Sequence, residues 1–202
     1  VAMEPQTGAV KAWVGDIDFN SWKYDKVKAM RQPGSTFKLF VYTEAMNQGL
    51  TPCDKRRDEY ISMQVYDSKK HEMTTWTPGN ANGSFSGDSM ALKSAFAKSI
   101  NSVAVRLGQE MGIKRIIETA HKMGVDSKLD DTPSLALGSS DMNLLELADS
   151  YCTVADNGRH HAPVLVTRIV DRDGKEVYRA PEDAEQVIPY KSAFFMQQLL
   201  KG

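Results

Sequence analysis

Ser35 and Lys38 stand three residues apart in the segment Arg31-Gln32-Pro33-Gly34-Ser35-Thr36-Phe37-Lys38, where proline and glycine punctuate the chain and Ser35 begins a helix. That spacing puts both side chains on one helical face, one turn apart, close enough for the amine to touch the hydroxyl. A serine hydroxyl is a poor nucleophile until a neighbouring base takes its proton. A lysine can be that base only if burial or nearby positive charge lowers its pKa toward neutrality. The start of the helix would add N–H groups and positive potential where an oxyanion forms. Alone, an S-x-x-K more often marks a capping serine and a solvated lysine.

A second polar pair, Ser99 and Asn101, flanks Ile100 where an apolar helical pattern breaks. Both could point into a cleft, although a helix-boundary serine and a capping asparagine are commoner readings of such a tripeptide. Other candidates are weaker. His71-Glu72 lacks a second histidine at metalloprotease spacing, and His160-His161, beside Asn157-Gly158, reads as a polar surface loop. Cys53 and Cys152 are isolated from each other and from the histidines, so neither a redox pair nor a zinc knuckle is formed. Trp13, Trp22 and Trp76 could line a glycan or peptide groove, but large aromatics more often bury their rings in a core. No glycine pattern cradles a nucleotide phosphate.

The elements that must position these residues follow from periodicity. Val1 to Met3 and Ala9 to Val14, joined through Pro5-Gln6-Thr7-Gly8, read as a buried β-hairpin. Phe37, Phe40, Val41 and Ala45 form the stripe of a helix lying on a core and ending near Gly49. Residues 51–87 read as an irregular excursion, with Thr77 to Gly83 plainly loop. Helical spacing resumes from Asp88-Ser89, breaks at Ser99-Ile100-Asn101 and continues to Gly112. Further helices are expected over Ile113 to Gly124, from about Asn143 to Asn157-Gly158, and from about Lys191. Asp171-Arg172-Asp173-Gly174 turns a hairpin.

Net charge is −1, with 25 basic and 26 acidic residues spread along the chain, so no long-range field favours nucleic acid as a partner. No apolar run is long enough to cross a bilayer, so any membrane anchor is expected outside residues 1–202.

An S-x-x-K followed by an S-x-N, each at a helix junction, is the combination of serine β-lactamases and penicillin-binding proteins. Arg31 to Lys38 resembles the nucleophile segment of class A penicillin-binding proteins, the bifunctional peptidoglycan synthases. Glu4-Pro5-Gln6-Thr7-Gly8-Ala9-Val10, Leu92 to Leu107, Pro133-Ser134-Leu135-Ala136-Leu137-Gly138 and Leu145-Glu146-Leu147-Ala148 resemble further segments of the same transpeptidase domain, so the likeness runs end to end. It implies an α+β fold, a twisted antiparallel sheet with packed helices and the nucleophile in a cleft between sheet and helical lobe.

The resemblance also implies roles. Ser35 would be acylated, Lys38 would be its base, Ser99 would relay a proton, and Asn101 would hold the substrate amide. The partners would be peptidoglycan stem peptides ending in D-alanyl-D-alanine and β-lactam antibiotics, with no cofactor. The place would be the periplasmic face of the cytoplasmic membrane, with the anchor and a glycosyltransferase domain outside residues 1–202. No K-T-G occurs in these residues, so the domain is expected to lack its C-terminal strands here and to acylate poorly by itself. A β-lactamase or β-lactam sensor would share acylation and differ in deacylation. A non-catalytic module of the same fold is the remaining alternative.

Overall fold

In the computed structural model, residues 1–18, 20, 23–67 and 70–202 are described. The elements run β1 (Ala2–Met3), β2 (Val10–Ala12), a 3-10 turn (Gly34–Phe37), α1 (Lys38–Asn47), β3 (Lys55–Arg57), β4 (Met63–Asp67), β5 (Glu72–Trp76) and β6 (Ser89–Ala91). They continue with α2 (Leu92–Ala97), α3 (Asn101–Met111), α4 (Ile113–Lys122), a second 3-10 turn (Pro133–Leu137), α5 (Leu144–Ala155), β7 (Arg159–His160), β8 (Arg168–Val170), β9 (Glu176–Arg179), β10 (Glu185–Gln186) and α6 (Tyr190–Leu200). The class is α+β, as the resemblance implied.

Helix α1 is the centre of the molecule. Its sequence carries apolar side chains on every face, and each residue from Lys38 to Met46 is buried. The expected single stripe understates it, because α3, α4 and α6 all pack on it. Leu39, Phe40, Val41 and Tyr42 join Leu107, Ile116, Leu135 and Met196 in one continuous core. Burying each such side chain contributes roughly 1.5–3 kcal/mol, which makes α1 a rigid base for whatever its first turn presents.

The strands among the described residues pair two by two, always antiparallel: β1 with β2, β3 with β6, β4 with β5, β8 with β9, and β10 with β7. The hairpin at Asp171 to Gly174 forms as expected, with Ile169 opposite Tyr178. The opening hairpin also forms, but it is not buried: Ala2, Lys11 and Ala12 are exposed. Two strands cover each other along one edge only, and burial of a strand face needs a packed partner. The β3–β6 pair closes the 51–87 excursion, because Lys55 opposite Ala91 brings the chain back to the start of α2.

Helix α5 starts with a reciprocal cap: the Asn143 side chain accepts from the Glu146 N–H, and the Glu146 carboxylate accepts from the Asn143 N–H. Trp13 donates to Asp25 at 3.0 Å. Trp76 packs on the core and also lines a groove with Gln64, Tyr66 and Asp131. Trp22 lies outside the described residues.

Candidate active site

Ser35 lies in the Gly34–Phe37 turn that leads directly into α1. Gly34, at φ +57°, makes the bend, a conformation glycine adopts without strain. The segment is clamped from outside. Arg31 and Met142 exchange both backbone hydrogen bonds at 3.0 Å, and the Gln32 side chain donates to the Ser139 carbonyl at 3.0 Å. Gly138 presses its backbone against Gly34 so closely that an added Cβ would lie 2.3 Å from the Gly34 carbonyl oxygen. The Ser35 side chain is exposed.

Lys38, one turn along, is 2 % exposed and makes no ion pair among the described residues. Its Nζ donates to the Ser99 carbonyl at 2.8 Å, the Ser99 hydroxyl at 3.0 Å and Asn101 Oδ1 at 2.7 Å. Burial lowers its pKa from 10.5 to about 8, because removing an ammonium from water disfavours the charged form. The sequence-based expectation that the amine touches the Ser35 hydroxyl needs correction on one point. All three ammonium donors go across to the break between α2 and α3, and Ser35 is not among the hydrogen-bond partners of Lys38. An ammonium has three protons and no lone pair, so only the neutral amine can accept from a serine hydroxyl.

The break is built by backbone strain. Helix α2 ends with the Ile100 N–H donating to the Ala95 carbonyl at 2.9 Å and the Ser99 N–H donating to the Phe96 carbonyl at 2.9 Å. This closure places Ser99 in the left-handed region at φ +52°, where glycine is usual and other residues cost roughly 1–2 kcal/mol. Such strain collects at functional sites. It turns the chain so that Ser99 and Asn101, 61 and 63 residues beyond Lys38, both face its amine.

Three residues here escaped the sequence reading. Asn80, Asp58 and Ser102, all buried, form a network behind Asn101. Asn80 Oδ1 accepts from the N–H groups of Asn101 and Ser102 at 3.0 and 3.1 Å, and Asn80 Nδ2 donates to Asp58 at 2.7 Å. The signal was present at Ile100. It occupies the N-cap of α3 and has no side-chain acceptor, so the free N–H groups of the first turn need an oxygen from elsewhere. The histidine pair is a second correction. His160 bonds Asp149 at 2.8 Å, and His161, only 6 % exposed, bonds Asp156 at 2.9 Å, so the two rings pack inward against carboxylates of α5 and its end. Among the described residues no three His, Cys, Asp or Glu side chains converge as metal ligands.

A family model described as the penicillin binding protein transpeptidase domain matches residues 1–202. The chain belongs to that family. Among the similar proteins, penicillin-binding protein 2D of Bacillus subtilis is 32 % identical over the whole chain, which covers 29 % of that relative. Penicillin-binding protein 1A of Neisseria meningitidis is 33 % identical over the whole chain, which covers 26 % of it. The chain therefore spans under a third of the curated relatives it matches. A crystal structure of penicillin-binding protein 1A from Haemophilus influenzae superposes with a TM-score of 0.87 at 25 % identity, covering 98 % of this chain and 33 % of that one. The PonA1 protein of Mycobacterium tuberculosis in complex with penicillin V superposes at 0.80 with 23 % identity, covering 95 % of this chain and 51 % of that one, a likeness of fold. These relatives are of the class A kind that the Arg31 to Lys38 segment resembled. Among the described residues of this domain no helix is long and apolar enough to cross a membrane.

Proposed function

We propose that this domain is a serine D-alanyl-D-alanine transpeptidase of peptidoglycan, acylated in the same way by β-lactams. The observation that carries the reading is the buried Lys38 amine, its pKa lowered to about 8, joined to Ser99 and Asn101 across more than sixty residues of sequence. With a pKa of about 8, roughly a tenth of such amines are neutral at pH 7, against far less than a hundredth at the ordinary 10.5, and the neutral form is what a general base requires.

On this reading Lys38 Nζ takes the Ser35 hydroxyl proton as Oγ forms a bond to the carbonyl carbon of the penultimate D-alanine. The C–N bond to the terminal D-alanine then breaks, and the proton passes from Lys38 through the Ser99 hydroxyl to the departing amine. The Ser35 ester remains. An amine of a neighbouring stem attacks it, loses its proton along the same route, and Ser35 recovers its own. Asn101 has two amide protons, one donated to the Gly79 carbonyl at 2.8 Å, and the other serves to hold the substrate amide. In a β-lactam the broken C–N bond is in the ring, so the leaving amine stays attached and blocks the second amine.

Residues 1–202 are read as part of one transpeptidase domain, placed on the outer face of the cytoplasmic membrane by an anchor and accompanied by a glycosyltransferase domain. Incubating the full-length protein and its Ser35→Ala variant with a fluorescent penicillin tests the reading. Stable labelling of the first and none of the second is expected. Equal labelling, or a wild-type label lost within seconds as in a β-lactamase, would overturn it.

A further inference from the structure

The amide of Asn80 is held at both ends. Its oxygen sits on the first N–H groups of α3, those of Asn101 and Ser102, and its nitrogen donates to Asp58 Oδ1 and to the Ser84 carbonyl at 3.0 Å. Asp58 accepts in addition from the Ser102 hydroxyl at 2.6 Å and the Ser86 N–H at 2.9 Å. A carboxylate against a helix start is stabilised by the helix dipole, and an acceptor on the free N–H groups removes the cost of leaving them unpaired. The adjacent Gly79 carbonyl holds the Asn101 side chain from its other end. Asn101 Oδ1 is then left to face Lys38.

We propose that Asn80, seated on the buried Asp58 carboxylate, is a positioning residue for this site. It fixes the start of α3 and, through Asn101, the Lys38 amine. The inference rests on the roles of Ser35 and Lys38 proposed above. The groups facing the amine are the Ser99 carbonyl and hydroxyl and the Asn101 carboxamide, with Ser35 on its own segment. Asp58 is the nearest charge along this chain of hydrogen bonds and acts through Asn80 and Asn101. Burial pushes its carboxyl up, but the bonds from Ser102, Ser86 and Asn80 outweigh that and hold it below the ordinary range.

The test is the second-order rate constant for acylation of the full-length protein by a fluorescent penicillin, followed across the pH range around Lys38's transition. In Asn80→Ala the loosened Asn101 oxygen no longer supports the ammonium. The rate should fall about 10- to 100-fold, and the acid limb should move to lower pH by about half a unit or more. Asn80→Asp should restore the limb, because two adjacent carboxyls share one proton and reproduce the acceptor for the α3 N–H groups and the donor to Asp58, losing only the bond to the Ser84 carbonyl. A loss of folded protein alone would lower the labelled fraction and leave the limb in place. If Asn80→Ala does not fold, Asp58→Asn reads the same link and should displace the limb in the same direction by less. A folded Asn80→Ala or Asp58→Asn with the wild-type limb, or an Asn80→Asp that behaves like the alanine variant, would overturn the positioning role alone. An unlabelled wild type would overturn the acyl-enzyme reading and this inference with it.

Discussion

Replacing Gly138 by alanine should damage the site from behind. The backbone of Gly138 is left-handed, at φ +74°, and its new Cβ would meet the Gly34 oxygen at 2.3 Å, the Gly34 nitrogen at 2.6 Å and the Gly34 carbonyl carbon at 2.9 Å. Ordinary contact begins at 3.4 Å, so the two backbones must part by about 1 Å. The neighbours are backbone atoms and cannot swing away as a side chain could. The left-handed conformation costs an alanine roughly 1–2 kcal/mol, and forcing apart a packed contact roughly 1–3 kcal/mol. The expected loss is therefore about 2–5 kcal/mol, at about 2–4 °C of melting temperature for each kcal/mol in a chain of this size. Because Gly34 precedes Ser35, a displacement of this order should also slow β-lactam acylation about 100-fold in protein that is still folded. Gly174→Ala is the control. Its φ is +81° and nothing lies within 4 Å of the added Cβ, so it should lose only the conformational part and label normally. Thermal melting by circular dichroism and the labelling rate below the transition measure both effects. A Gly138→Ala variant indistinguishable from Gly174→Ala would refute the claim that the second 3-10 turn seats the Ser35 turn.

Ser99→Gly and Ser99→Ala both remove the hydroxyl and should both slow acyl transfer. The glycine variant should be the more stable by about 1 kcal/mol in urea denaturation, because φ +52° strains alanine and not glycine. An alanine variant at least as stable would show that the strain is absent. Lys38 binds fewer protons folded than unfolded between about pH 8 and its ordinary value of 10.5, so stability should rise with pH through that window and the slope should vanish in Lys38→Met. The acylation rate should rise through the same pH of about 8, and an acid limb above pH 10 would contradict burial of the amine. His160 is pushed above its ordinary pKa by the bond to Asp149, and burial pushes Asp149 up as well. Both shifts give the folded chain extra protons, but in different windows: the contribution of Asp149 is complete only below the ordinary 3.8, while the histidine's is present below its ordinary value of 6.5 and lost as pH rises through the raised one. Stability curves of wild type and His160→Ala should converge above that transition, and parallel curves would refute the pairing.

The four residues of the proposed site stood out in the sequence for different reasons. Ser35 and Lys38 are close in sequence and enter a helix whose apolar period is plain, so their spacing alone places them on one face. Ser99 and Asn101 showed only as a break in a pattern, and it took the resemblance to join them to Lys38. Asn80 and Asp58 were not legible, because a loop of turn-formers carries no period and its burial is set by what folds onto it. The uncapped Ile100 said that an acceptor was missing without saying from where. The inward-facing His160 and His161 failed similarly: their neighbours Asn157 and Gly158 signal a turn, while the carboxylates that draw the rings inside lie on α5 and at its end. The central burial of α1 was understated because its apolar residues were counted on one face only.

Peptide mapping by mass spectrometry after incubation of the full-length protein with penicillin tests the central claim most directly. The account expects the penicilloyl mass on the peptide containing Ser35 in the wild type and its absence from a folded Lys38→Ala variant in the same time. An adduct on another residue, or Ser35 acylated at the wild-type rate without the lysine, would contradict it.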